Sequence, residues 1–218
     1  MLTVAEENYL KNLYHLMSDR SLVSTNAIAA VVNTKPSSVT VMLKKLADKG
    51  YVNYIPYKGS KLTPAGLTTA IQVIRRHRLW EVFLVDKLNF TWNEVHEVAE
   101  QLEHIRSSKL IDELDKHLDH PQTDPHGDPI PDRNGKMPSL QKRLLCNATI
   151  ASSGTVVGVV DSSEEFLQYL DRMGITMGTH IELVDKEIYD GSLTINVEGK
   201  SRTITKSTSQ SIYIKPRS

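Results

Sequence analysis

A single cysteine, Cys146, stands in the 218-residue chain, so no internal disulfide can form, which agrees with a reducing compartment. In RLLCNA, beside Leu144 and Leu145, it reads as a small buried apolar residue with no chemical role. No run approaches the ~20 apolar residues that a membrane-spanning helix requires. The opening stretch MLTVAEENYL has acids where a signal peptide would carry a basic segment and a long apolar one, so a cytoplasmic location without a membrane partner is expected. Internal repeats and low-complexity tracts are missing too. With 39% hydrophobic and 24% charged residues the composition is that of an ordinary globular protein, and the length suits more than one core.

Net charge is also missing, since 26 Lys/Arg offset 26 Asp/Glu, but the balance hides an asymmetry. Residues 1–80 hold eleven Lys/Arg against four Asp/Glu, a net +7, and residues 81–120 hold four against ten, a net −6. A basic front suits a polyanion such as DNA, and an acidic, histidine-containing middle suits a cation.

Thr3-Val-Ala-Glu6 has the form of a capping box, and Leu10, Leu13, Tyr14 and Met17 follow at helical spacing. After the loop SDRSLVS a short helix begins near Thr25 or Asn26, the turn NTK follows, and Pro36 opens a third helix. That helix turns Val39, Met42, Leu43 and Leu46 to one side and stops at Gly50. YVNYIPYKGSKLT then alternates like two strands joined at Lys58-Gly59, and Thr63-Pro64 starts another helix, expected to about residue 85. Thr91-Trp-Asn-Glu94 is a second capping box, from which one long helix is expected through about residue 118. Five of the nine prolines fall in residues 121–138, an extended crossing or linker. Beyond Leu140 come the β-rich runs GTVVGVV, THIELV, SLTINV and SIYIKP with one helical piece, EEFLQYLDRMG, the size of a small barrel.

A helix, a three-residue turn, a Pro-opened helix and a basic hairpin predict a winged helix-turn-helix. Lys35, Pro36, Ser37, Ser38 and Thr40 lie at the start of the third helix, where short hydroxyls and backbone N–H groups meet phosphates or base edges. Val41 suits a thymine methyl, Lys44 follows one turn on, and Lys58 and Lys61 of the hairpin suit the flanking backbone.

Within HEVAEQLEH, His96, Glu100, Glu103 and His104 share one face of the expected long helix. Two stacked glutamates repel by a few tenths of a kcal/mol, roughly, and a divalent cation reverses that sign. The bland alternative is a wet helix face. A zinc hydrolase is the other, but H-E-x-x-H fails because Glu100 stands where the second His is needed, and the reversed pattern fails there too. His77-x-x-x-Glu81 is a further helical pair, and Asp124-Pro-His126 adds a carboxylate and an imidazole.

Taken together, ENYLKNLY, PSSVTVMLKKLADKGYV, KLTPAG, RRHRLWEVFL, VHEVAEQLEH and DPHGDPIP resemble the metal-dependent repressors of the diphtheria toxin repressor family, including its manganese transport regulator branch. The tail GVVDSSEEFLQYLDRMGITMGTHIEL resembles the SH3-like C-terminal domain of longer members. The resemblance implies a primary metal site at Asn8, Glu100, Glu103 and His104. It also implies an ancillary site, drawn either from His77, Glu81 and His96 or from Glu81, Asp124, His126 and Asp161. Iron-type members place Met and Cys where Asn8 and Glu100 stand, and manganese-type members place Asp and Glu. Oxygen donors with one imidazole suit Mn²⁺, with Fe²⁺ the alternative.

The expected class is therefore α+β: a winged helix-turn-helix over 1–74, a helical dimerisation and metal-binding domain with a Pro-rich linker over 75–140, and an SH3-like small β-barrel over 141–218. The expected function is a homodimeric, divalent-metal-activated transcriptional repressor of palindromic operators at metal-uptake genes, with double-stranded DNA as partner and no small organic substrate. A metal-independent winged-helix regulator and a metallohydrolase with a DNA-binding appendage are the competing readings.

Overall fold

The structure is a computed structural model that describes residues 1–17 and 22–217; part of the expected SDRSLVS loop lies outside the described residues. The chain forms two compact units, one of residues 1–77, 100–111 and 131–136, the other of residues 78–99, 112–130 and 137–218.

In the first unit the Thr3–Glu6 capping box forms in both directions and starts α1 (Val4–Leu16). Ser24 caps α2 (Thr25–Val31), and Pro36, whose missing N–H costs nothing at a helix start, opens α3 (Pro36–Asp48). Val39, Leu43 and Leu46 of α3 are buried with Leu10, Leu13 and Ile28, which leaves the opposite face of α3 in water. Each such aliphatic side chain contributes about 1.5–3 kcal/mol on burial. Strands β1 (Val52–Ile55) and β2 (Gly59–Leu62) pair antiparallel, and Val23 bridges to Ser60 through two backbone hydrogen bonds that fix the hairpin to the segment before α2. Pro64 opens α4 (Pro64–Leu88), three residues longer than expected.

The expected long helix after Thr91 is two helices, α5 (Val95–Leu102) and α6 (Ser108–His117). The cause is distant in sequence: Arg76 Nε donates to the carbonyl of Glu103, which a continuing helix would need for its own ladder. Ser107 Oγ then accepts from Leu110 N at 3.2 Å and starts α6 afresh. Glu103 and His104 consequently lie in a turn beyond the end of α5, not on the helical face that their spacing predicts.

The second unit carries the C-terminal sheet. Strands β3 (Arg143–Leu144), β4 (Ser153–Val159), β5 (His180–Lys186), β6 (Leu193–Val197), β7 (Lys200–Ile204) and β8 (Ile212–Pro216) are ordered β3-β8-β4-β5-β6-β7, with all pairings antiparallel. The helix α7 (Glu164–Met173), ended by Gly174 in the left-handed region, buries Leu167 and Leu170 against Val156, Ile181, Ile195 and Ile212. Strand β7 and the short α8 (Lys206–Gln210) escape sequence reading because KSRTI and KSTSQ are polar and lack an apolar period. Cys146 corrects another expectation: the 3-10 turn 145–147 sends Leu145 inward and leaves the thiol half-buried.

Candidate metal centre

In the first unit, Glu103 has no exposed surface and gathers charge from three sides. Its Oε2 lies 2.7 Å from His77 Nδ1 and accepts from Lys11 Nζ at 2.9 Å, and its Oε1 lies 2.8 Å from the same ammonium and 3.5 Å from His104 Nε2. Burial alone would raise this carboxyl, but the His77 hydrogen bond and the Lys11 charge outweigh it and hold Glu103 below the ordinary carboxylate range. Glu100, half-exposed at its side chain, accepts from Lys11 Nζ at 3.2 Å. His104 Nδ1 is 2.7 Å from Glu7 Oε2. A carboxylate at one ring nitrogen fixes the tautomer and leaves the other as a ligand atom.

Asn8, next to Glu7 on α1, has a buried Oδ1 with no hydrogen-bond partner among the described residues. An orphaned acceptor of that kind costs about 1–3 kcal/mol, and a cation would supply the missing partner. By chemistry, Asn8 with Glu100, Glu103 and His104 would offer oxygens and one imidazole without a thiol, a hard set suited to a divalent ion such as Mn²⁺ or Fe²⁺, although Glu100, Glu103 and His104 are not among the described side chains whose ligand atoms lie within 4.8 Å of one another.

A second cluster lies wholly in the second unit. Glu81, Asp124 and His126 are all buried and offer ligand atoms within 4.8 Å of one another. His126 Nε2 donates to the Trp92 carbonyl at 2.7 Å, so Nδ1 faces Glu81 Oε1 at 3.7 Å. Burial alone would lower the imidazole, but the hydrogen bond and charge of Glu81 outweigh it and push it up to about 9. Asp124 is shifted upward, by burial first and then by the charges of Glu81 and Asp128. Its Oδ1 accepts from the backbone N–H of His126 (2.8 Å) and of Asp128 (3.0 Å), while Oδ2 faces Arg78 Nε at 3.4 Å. Gly127 (φ +81°) makes this loop possible: a Cβ there would sit 2.0 Å from the Val157 carbonyl oxygen of β4.

Of the other expected ligands, His96 is exposed with Nδ1 3.3 Å from Glu81 Oε1. His77 stands one turn before Glu81 on α4 and pairs within its own unit with Glu103. Asp161 is exposed, its Oδ1 accepting from Ser163 N at 2.9 Å, and the structure does not bring it into the Glu81 cluster.

The basic front is smaller than its tally. Lys11 faces Glu100 and Glu103, Lys45 and Lys49 reach the fully buried Glu6 at 3.2 and 2.7 Å, and Arg75, Arg76 and Arg78 bind carbonyls inside their own units. Lys45 and Lys49 keep part of their surface in water while reaching Glu6, and Lys35, Lys44, Lys58 and Lys61 are exposed, with Pro36, Ser37, Ser38 and Val41 beside them. Thr40 is half-buried and its hydroxyl donates to the Pro36 carbonyl at 3.0 Å. A cleft of about 480 Å³ opens between the start of α3, the start of α2 and the hairpin, with the fully exposed Tyr57 at its tip.

Three family models tile the chain: the iron dependent repressor N-terminal DNA binding domain over 1–60, the iron dependent repressor metal binding and dimerisation domain over 63–132, and the FeoA domain over 143–216. The diphtheria toxin repressor of Corynebacterium diphtheriae is 28% identical over 212 residues, 89% of either chain. The iron-dependent repressor IdeR of Mycobacterium tuberculosis is 31% identical over 158 residues, 71% of this chain and 69% of that one. The chain belongs to the diphtheria toxin repressor family. A solved manganese-dependent transcriptional repressor in complex with manganese is similar over 97% of this chain and 100% of its own, at 30% identity and a TM-score of 0.84.

As a member of the diphtheria toxin repressor family the chain is a metal-dependent, DNA-binding transcriptional repressor, not an enzyme, and the hydrolase and metal-independent readings fall. No helix among the described residues is long and apolar enough to cross a membrane. Sequence reasoning passed over Glu7, Lys11, Arg76 and Tyr57. The first two carried a signal in their spacing: Glu7, Asn8 and Lys11 fall at i, i+1 and i+4 on α1, on the side that meets Glu100, Glu103 and His104.

Proposed function

We propose that this repressor is activated by Mn²⁺, with Fe²⁺ as the alternative, and binds as a homodimer to palindromic operators of metal-uptake genes. The observation that carries the choice of metal is the donor set of Asn8, Glu100, Glu103 and His104: oxygens and one imidazole, with no sulfur among them. Asn8, Glu100, Glu103 and His104 would hold the primary ion. Glu81, Asp124 and His126 would hold the ancillary one, favoured over the set with His77 and His96 because all three are buried together in one unit. The division into 1–74, 75–140 and 141–218 belongs to the same reading.

The chain's own contacts supply a route from site to DNA. Helix α1 bears Asn8 on one side, and Glu6, two residues earlier, grips Lys45 and Lys49 in the last turns of α3. A shift of α1 therefore shifts α3, whose outer face bears Ser37, Val41 and Lys44. When bound, a divalent ion supplies the charge that joins the oxygen of Asn8 to the carboxylates of Glu100 and Glu103. Glu7 keeps the His104 imidazole oriented, and Arg76 holds the turn through the Glu103 carbonyl. To move the population from 1:99 to 99:1 the ion must favour the DNA-competent form by roughly 5.5 kcal/mol.

Fluorescence anisotropy on operator DNA at fixed salt, with Mn²⁺ or with chelator, tests the reading. Binding that depends on Mn²⁺ and is lost in His104→Ala with the fold intact is expected. Equal affinity in chelator, or an unchanged metal response in the variant, refutes it.

A further inference from the structure

The buried ammonium of Lys11 is the least expected group in the metal centre. It is 8% exposed and lies 3.2 Å from Glu100 Oε1 and 2.8 and 2.9 Å from the two oxygens of Glu103. A charge so placed is costly to bury unless paired, and here it has two carboxylates. The surrounding charges match in number: Glu7, Glu100 and Glu103 face Lys11, Arg76 and Arg106. A divalent ion on the same carboxylates would meet a fixed positive charge within a few ångströms. Lysine can leave, because its charge rides on a flexible four-carbon stem.

We propose that Lys11 is a tethered cation that occupies the Glu100–Glu103 carboxylate pair in the metal-free chain and that the activating ion must displace it. On the metal-activated reading above, on which this rests, Lys11 has two tasks. It ties α1 to the turn after α5 without metal, so that α1 is already anchored, and it weakens metal binding, so that the repressor responds only above a set metal level. Asn8 and Lys11 are three residues apart on α1, about 4.5 Å along the helix axis. Exchanging the ammonium for the ion moves the tether of α1 by nearly one turn. The switch is then a change of grip, from Lys11 to Asn8, and not the capture of a loose helix.

The test compares full-length wild type, Lys11→Met and Lys11→Arg by calorimetric Mn²⁺ titration and by thermal unfolding in chelator. Lys11→Met keeps the apolar stem and removes the charge. It should bind Mn²⁺ at least about tenfold more tightly, as expected for relief of a close like charge. Its metal-free midpoint should drop by about 4 °C, through loss of the buried pair. Lys11→Arg should bind no more tightly than wild type. Unchanged or weaker Mn²⁺ affinity in Lys11→Met overturns the proposal, as does equal tightening in both variants. A Lys11→Met chain that folds only with Mn²⁺ supports it, and one that fails to fold even with Mn²⁺ overturns it. Wild type that takes up no Mn²⁺ would sink the parent reading instead, so the two failures are distinguishable.

Discussion

Glu6→Gln measures how firmly α1 is tied to the recognition helix by charge. Glu6 has no exposed surface, its Oε2 accepts from Thr3 N, and its Oε1 lies between Lys45 and Lys49. Burial pushes its carboxyl up, but Lys49, the Thr3 N–H and Lys45 together outweigh that and hold it at about 2, against 4.5 ordinarily. Glutamine keeps the shape and can keep the cap bond, since Gln serves at that position of a capping box, so only the charge is lost. At 1.36 kcal/mol per pKa unit the depression corresponds to about 3 kcal/mol at most. The Lys45 and Lys49 side chains keep 52% and 35% of their surface in water, so screening reduces this to about 1–2 kcal/mol. The folded value lies below the unfolded one, so the contribution is complete above pH 4.5 and vanishes as pH falls towards 2. Denaturant unfolding of metal-free wild type and Glu6→Gln should therefore differ by about 1–2 kcal/mol at pH 7 and converge near pH 2. A gap that stays constant down to pH 2 would mean that shape or capping, not charge, joins the two helices.

Other sites give sharp expectations. Lys44→Ala should weaken DNA binding to a similar degree on every sequence in an anisotropy panel, because an exposed lysine on α3 reaches phosphate; a strictly selective loss would make it a base reader. Gly127→Ala should destabilise the chain by about 2–4 kcal/mol in thermal unfolding, from the φ of +81° and the collision with Val157, and a wild-type midpoint would refute that account. The raised imidazole of His126 retains its proton to about pH 9, so an ion at Glu81, Asp124 and His126 must release it. Mn²⁺ affinity of this cluster in a His104→Ala background should thus rise with pH from neutrality to about 9, with proton release seen by calorimetry in buffers of different ionisation enthalpy. A flat profile would exclude His126 as a ligand.

Legibility followed the type of interaction. The capping box at Thr3, the Pro36 start, the apolar stripe of α3 and the alternation of β1 and β2 are local patterns, and each appeared within a residue or two of its reading. The run from Thr91 to residue 118 reads as one helix because nothing in it is a breaker. The break comes from Arg76, whose guanidinium takes the Glu103 carbonyl from 27 residues away in sequence. Lys11 reads as surface charge for the same reason, since its partners lie 89 and 92 residues on. Asp124 and His126 were legible as a pair from DPHG, but their burial depends on the fit of Gly127 against β4, which no local pattern carries.

Six cations of the basic front, Lys11, Lys45, Lys49, Arg75, Arg76 and Arg78, are engaged by carboxylates or carbonyls of the chain itself, which has a consequence for how DNA binding responds to ionic strength. Protein–DNA affinity falls with salt in proportion to the counterions expelled from phosphates, with a slope of about 0.9 per contact. A tally of eleven Lys/Arg would imply a slope near −10 per protomer, whereas Lys35, Lys44, Lys58 and Lys61, exposed and not held by Glu6, imply about −4. A repressor built this way should lose less DNA affinity as salt rises than one with all eleven charges turned to the DNA.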